Sequence, residues 1–498
     1  MKPSITHFFF FLIFLNFHAG IYAQNRPVFP RIEPDSKAIE YYNLDNNNLG
    51  YSWTELAEIS LWASGNATPS NIERISSAVF ALNISDELPL TEREKAEFIL
   101  SYMHRNILRT YSIFQTRIDT IFTNGSFNCV SSAVLYIILC ESAGINASGV
   151  ITRDHAFVTV HINGEDIDVE TTNRYGFDPG NRREFHDQFG RLTGFSYVPA
   201  QNYRDRQTIS KIELISLILN NRISEHERAN RYADAVPLAV DRAALLLGNS
   251  LAVNTGPVLY DSLFTDPRID LMDRLFNYGN TLLRANREED AIIWANFASS
   301  NYPDYNRWYD FYHAAVNNRI VRFLRENRTA DAGNFLENNR SILTNENYAQ
   351  FDSTIIDADL VFRTNRITTA AQGDAITGEI EQAQRSGRIS DRRAVELIVY
   401  TIQRTAASLS AAPARDWRAA INYIEAAVSR FGSNREWEQA LQTYRSNLAA
   451  DYHNRFAAEW NRKNYDEAEQ ILNEGLAEFP DNRQLLSNLD IVNRSRSR

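Results

Sequence analysis

The clearest hydrophobic pattern in the chain is a run with no polar face. Residues 129–143 are almost wholly apolar and end at Gly144, which predicts a helix buried on all sides. The next segments switch to strand character. Residues 148–152, 155–162 and 165–172 are rich in β-branched residues, and Asn163-Gly164 between the last two predicts a two-residue hairpin turn. Pairing across that turn sets Ile162 against Glu165, Val160 against Ile167 and Val158 against Val169. Ala156, Val158, Val160, Ile167 and Val169 then share one face. His155, Phe157, Thr159, His161, Asp166, Asp168 and Glu170 share the other. The register is self-consistent, because a slip of one residue would scatter the apolar set over both faces.

Upstream, residues 53–65, 70–83 and 91–115 read as amphipathic helices, the last started by Thr91 with Glu92 and Glu94 in its first turn. Residues 24–50, with prolines at 27, 30 and 34 and the run Asn46-Asn47-Asn48, read as irregular. A Gly/Pro/aromatic segment from Gly176 to Pro199 closes the mixed region. From residue 211 onward the pattern is helical throughout. Five places share an acidic or small residue, then Ala, then an apolar helix: Asp234-Ala235, Asp290-Ala291, Asp331-Ala332, Ala419-Ala420 and Glu467-Ala468. Tyr465-Asp466-Glu467-Ala468 with Leu476-Ala477-Glu478-Phe479-Pro480 resembles the second helix of a tetratricopeptide repeat. The spacings of 56, 41, 88 and 48 residues are unlike the regular 34 of that family, so the expectation is an irregular α-α array. Gly373, Gly378 and Gly387 suggest a weak break within residues 366–390. The fold class expected is α+β, followed by an all-α repeat array.

At 498 residues the chain can hold several cores, and its net charge of −11 argues against a nucleic-acid partner, which would need basic phosphate contacts. There is no Gly-rich phosphate loop and no closely spaced Cys/His cluster, so neither cofactor nor metal is expected. The first residues resemble an export signal: Lys2, an apolar stretch from His7 to Phe17, and a cleavage site at Ile21-Tyr22-Ala23. That apolar stretch is shorter than the roughly 20 residues a membrane span needs. The division expected is 1–23 signal peptide, 24–90 helical lead-in, 91–210 mixed domain and 211–498 repeats. The mature protein would be exported, periplasmic or secreted, with no integral membrane segment. Only five of the 51 basic residues are lysine: Lys2, Lys37, Lys95, Lys211 and Lys463.

The chain has two cysteines, Cys129 and Cys140. On one helix, eleven positions apart, they would be separated by roughly 16 Å along the axis. A disulfide needs Cα atoms within about 7 Å, so the two should remain free thiols. Cys140 reads as a buried hydrophobe. Cys129 stands where its helix begins, with Ser126 or Asn128 to cap it. A thiol attacks as the thiolate, which a helix N-terminus and an imidazolium both favour. His155 opens a strand and can reach out of the sheet as the acid/base. A carboxylate would orient its ring. The hairpin register puts Glu170 diagonally beside His155, and Asp168 roughly 7 Å further along the strand. Geometry therefore prefers Glu170, with Asp168 the alternative.

Cysteine at a helix start, His155-Ala156-Phe157, a tight hairpin and Val169-Glu170-Thr171-Thr172 together resemble the transglutaminase-like superfamily, relatives of papain in a permuted order. Its pattern is His-Ala-aromatic, a short turn, then Val-Asp-Pro-Thr. Aligned through the turn, the family acid falls on Glu170. This chain departs from the pattern with Glu for Asp and Thr for Pro. The resemblance covers roughly residues 90–200. It implies a cysteine helix packed on an antiparallel sheet and an oxyanion site using the Cys129 backbone N–H, with Asn128 or Gln115 as candidate second donors. The function expected is an exported thiol enzyme acting on amide bonds, by hydrolysis or acyl transfer, on a protein or peptide substrate. The helical repeats would bind a protein partner. The alternative is a non-catalytic periplasmic scaffold that binds peptides through its repeats.

Overall fold

The computed structural model describes residues 28–45, 50–85, 91–180, 185, 205–248, 263–264, 266–302, 307–413 and 415–496. The export signal, the run Asn46-Asn47-Asn48, most of the segment from residue 181 to Pro199, and Pro303-Asp304 lie outside the described residues. The chain forms two compact units, Met1–Trp308 and Tyr309–Arg498.

The first unit is built around α6 (Cys129–Ser142). Every residue from Val130 to Cys140 is buried, as a helix without a polar face requires. One side of α6 packs on an antiparallel four-stranded sheet of order β5-β4-β3-β6. Its strands are β3 (Ala147–Ile151), β4 (Ala156–Ile162), β5 (Glu165–Val169) and β6 (Gln207–Ile209). The hairpin pairs Val158 with Val169, Val160 with Ile167 and Ile162 with Glu165, as the alternation of apolar residues dictates. Ala156, Val158, Val160, Ile167 and Val169 all enter the core that holds α6. Asn163 and Gly164 both have positive φ, the conformation a type I′ turn demands. Helices α2 (Trp53–Ala63), α3 (Pro69–Asn83), α4 (Glu92–Asn106) and α5 (Ile118–Asn124) cover further sides of α6.

The structure corrects several expectations. The helix expected over 91–115 stops at Asn106. There Ile107 and Leu108 both donate to the Met103 carbonyl, and Arg109 and Thr110 turn to the Gly125 carbonyl. Thr110–Tyr111 (β1) then pairs in parallel with Ser126–Phe127 (β2). The supposedly irregular lead-in contains α1 (Ser36–Asp45), whose first turn is held by Asp35. Strand β5 ends at Val169, not 172, because the Glu170 N–H leaves the ladder for the Gly176 carbonyl. The boundary expected at 210/211 does not separate the units. Helix α7 (Lys211–Arg228) buries Ile212, Leu214, Ile215, Ile218 and Leu219 in the same core as α6. Helices α8 (Tyr232–Leu247), α9 (Pro267–Arg284) and α10 (Glu288–Asn301) follow in the first unit.

Among its described residues the second unit is all-α. After α11 (Trp308–Arg325) and α12 (Thr329–Asn338) come α13 (Asn345–Thr364), α14 (Ala370–Arg385), α15 (Asp391–Leu409), α16 (Trp417–Phe431), α17 (Arg435–Asn461), α18 (Tyr465–Glu478) and α19 (Arg483–Arg496). From α12 each helix packs on its successor, and α13, α15 and α17 also pack on the next but one. This nearest-neighbour layering is how helical arrays build a continuous core. Two of the three glycines expected to mark a break within residues 366–390 lie inside a helix, since α14 runs through Gly373 and Gly378, and Gly387 (φ 71°) lies in the turn that follows it. A Cβ on Gly373 would come within 2.3 Å of Thr405 Oγ1, so that glycine serves a close helix approach.

The five alanine sites share one backbone feature, and four of them share one turn. Five residues before each alanine stands a residue with positive φ: Asn230 (57°), Asn286 (58°), Asn327 (58°), Arg415 (48°) and Lys463 (65°). In four of the turns the following N–H bonds back to the carbonyl five residues earlier, as in a Schellman motif: Arg231 to His226, Arg287 to Leu282, Arg328 to Phe323 and Asn464 to Glu459. The alanines Ala235, Ala291, Ala332, Ala420 and Ala468 are buried, where the small side chain lets helices approach.

Candidate active site

The first turn of α6 is fixed on both sides of Cys129. Asn128 is its N-cap and accepts from the Ser131 N–H at 3.0 Å, while Ser131 Oγ accepts from the Asn128 N–H at 2.9 Å. The same two residues hold the preceding turn: Asn128 Nδ2 donates to the Ile113 carbonyl at 3.3 Å, and Ser131 Oγ to the Gln115 carbonyl at 3.0 Å. Cys129 is therefore the first helical residue, partly exposed, at the positive end of the helix dipole.

His155 lies just before β4, and its ring packs beside Phe157 at 6.3 Å. Nε2–H donates to Glu170 Oε2 at 2.6 Å. The Cys129 side chain interacts with the same ring and favours its charged form. Burial lowers the basicity of the ring. The Glu170 charge, then the neighbouring Cys129 side chain and the Glu170 hydrogen bond, outweigh that and hold the imidazole pKa well above its usual value. Glu170 is only 2% exposed. Its other oxygen, Oε1, accepts from the Thr172 N–H at 3.2 Å and the Thr172 hydroxyl at 2.7 Å. Both carboxylate oxygens thus have partners, as a buried charge requires.

Cys129, His155 and Glu170 come together. Asp168 does not join them: Arg206 grips it with two contacts of 2.6 Å, and Thr159 adds a third at 2.8 Å. Of the candidate oxyanion donors, Asn128 uses its side-chain oxygen in the helix cap and donates from Nδ2 to the Ile113 carbonyl. Gln115 is tied to α6 by its carbonyl, and its side chain lines an open cleft with Phe114, Arg117, Thr120, Glu225 and Arg228. Cys140 is fully buried, and that burial pushes its thiol pKa far up; both cysteines are free.

Two residues of the site were missed by reading the sequence. Burial pushes the Tyr111 phenol well above its usual range, and the charges of Cys129 and Glu170 add to the effect, so this hydroxyl stays protonated near both. The helix expected over 91–115 hid it. His104 of α4 donates from Nε2 to the Thr171 carbonyl at 3.0 Å. Burial lowers its pKa to about 4, against the opposing pull of that hydrogen bond. Its signal in the sequence was an amphipathic helix position and nothing more.

On the outer face of the sheet, His161 bonds Asp166 at 2.6 Å and Ser148 at 2.9 Å. These are the atoms of a serine relay, but the side chains of His161 and Asp166 are 32% and 72% exposed, so the group is a solvated cross-strand clasp. Among the described residues, no group of three or more His, Cys, Asp or Glu is placed to hold a metal, and no helix is long and apolar enough to cross a membrane. No protein-family model matches the chain, and no curated protein matches it.

Proposed function

We propose that the chain is a transglutaminase-like thiol enzyme acting on amide bonds, with Cys129 as nucleophile, His155 as acid/base and Glu170 as the group that orients it. The observation that carries this reading is the buried 2.6 Å hydrogen bond between the His155 ring and Glu170, beside a Cys129 thiol set at a helix N-terminus. The Cys129 thiolate attacks the amide carbonyl carbon and forms a C–S bond. The oxyanion that develops meets the Cys129 backbone N–H, with the Tyr111 phenol a nearby second donor. The imidazolium gives its proton to the amide nitrogen, the C–N bond breaks, and an amine leaves. His155 then takes a proton from water or an incoming amine, which attacks the thioester, breaks the C–S bond and restores the thiolate–imidazolium pair. The exposed Ile113 and Phe114, 53% and 68% accessible on the turn pinned to α6, offer apolar contact to a substrate side chain. The segment 1–23 supports an exported location.

The test is thiol reactivity. Wild-type Cys129 should be alkylated by iodoacetamide at pH 6 well above the rate of free cysteine, and His155→Ala should abolish that excess. A rate equal to free cysteine and insensitive to His155→Ala would sink the proposal. A second reading, a non-catalytic scaffold, is favoured by the second unit, which is helical throughout its described elements. It fails if Cys129→Ala removes turnover on a peptide amide while partner binding persists.

A further inference from the structure

Four consecutive polar residues, Glu170, Thr171, Thr172 and Asn173, are each no more than 2% exposed. Burying so many polar groups in a row is costly unless they are held by partners, and held networks are rigid. Thr171 takes its partners from two helices. Ser132 Oγ and Thr171 Oγ1 share a hydrogen bond of 2.9 Å, and His104 Nε2–H donates to the Thr171 carbonyl at 3.0 Å. Ser132 lies one turn beyond Cys129 on α6, and its hydroxyl also contacts the Asn128 carbonyl at 2.8 Å. The loop is closed on itself as well. The Glu170 N–H donates to the Gly176 carbonyl at 2.8 Å, and a Cβ on Gly176 would meet the Glu170 carbonyl oxygen at 2.0 Å.

We propose that Ser132, Thr171 and His104 form a positioning clasp that fixes the Glu170 carboxylate on His155. One helix thereby carries the nucleophile and also holds the loop of the orienting acid, and α4 holds that loop at the Thr171 carbonyl. The function assigned to the clasp rests on the thiol-enzyme reading, but the clasp itself acts on the His155–Glu170 hydrogen bond and can be tested there. None of the three residues touches the reacting atoms; each acts through Glu170.

The experiment uses full-length protein labelled with 15N-histidine. Wild type should show a low-field proton resonance for His155 Nε2–H bound to Glu170. Thr171→Val keeps the shape and removes the hydroxyl; the resonance should shift or broaden away, and the maximal alkylation rate of Cys129 should fall at least tenfold. Thr171→Ser should restore both, the rate to within about twofold of wild type. Ser132→Ala attacks the same bond from α6, should mimic Thr171→Val, and serves in its place if that variant does not fold. An unchanged resonance and an unchanged rate–pH profile in the hydroxyl-less variant overturn the clasp. So does Thr171→Ser behaving as Thr171→Val. If Cys129 proves unreactive in wild type, the enzyme reading fails, while the resonance still decides the clasp.

Discussion

Glu170 and Asp168 stand two residues apart at the end of one strand, yet they serve different partners: Glu170 binds the His155 ring at 2.6 Å, and Asp168 is taken by Arg206. The two carboxylates should therefore differ in their effect on the thiol. Glu170→Gln keeps the shape and removes the charge that holds His155 protonated. The rate of Cys129 alkylation at pH 6 should fall by about 10²-fold or more. Asp168→Asn should leave it within about threefold. Equal effects would dissolve the triad.

The raised pKa of His155 makes a claim about stability. A histidine more basic when folded than unfolded contributes stability that is fully present below its ordinary pKa of about 6.5 and is lost as pH rises through the folded value. The advantage of wild type over His155→Gln, measured as urea midpoints from pH 6 to pH 10, should shrink as pH rises. A constant difference would mean that the ring is not held in its charged form.

His104 runs the other way. Its folded pKa of about 4 lies below the ordinary 6.5, so the unfolded chain binds the proton first as pH falls. Its neutral form supports the fold above pH 6.5, and stability drains away between about 6.5 and 4. The largest loss is about 3 kcal/mol. His104→Gln should flatten that acid limb in urea titrations at pH 7, 5.5 and 4.5.

Two glycines should respond in opposite directions to alanine. Gly176→Ala drives a methyl into the Glu170 backbone and should cost about 1–3 kcal/mol, with loss of thiol reactivity. Gly378 sits inside α14 with nothing within 4 Å of the added carbon, so Gly378→Ala should stabilise by about 0.5–1 kcal/mol. Thermal melts of both variants check the pair.

If the turn beside Cys129 contacts substrate, Phe114→Ser should raise KM for a peptide amide and leave kcat near wild type, since an exposed contact made equally in ground and transition states changes binding alone. A fall in kcat with KM unchanged would assign the turn to the chemistry instead.

Much of this was legible in the residues. The buried helix, the hairpin and its register followed from local periodicity and from Asn163-Gly164. The choice of Glu170 over Asp168 as the partner of His155 followed from that register. The five alanines marked helix hairpins because a small residue is needed where helices cross, although the shared positive-φ residue ahead of each was not read. Local pattern works where each residue's environment is set by its near neighbours along the chain.

What the sequence could not disclose are the pairings between distant segments. The parallel bridge that carries Tyr111 toward Cys129 joins strands of two residues each, too short to leave a period. His104 and Ser132 meet Thr171 across 67 and 39 residues. Helix α7 looks like the start of an array, yet its apolar stripe has the core of the sheet as its partner. An amphipathic face announces that it will be buried. Only the folded chain, closing long loops to satisfy its buried polar groups, determines against what.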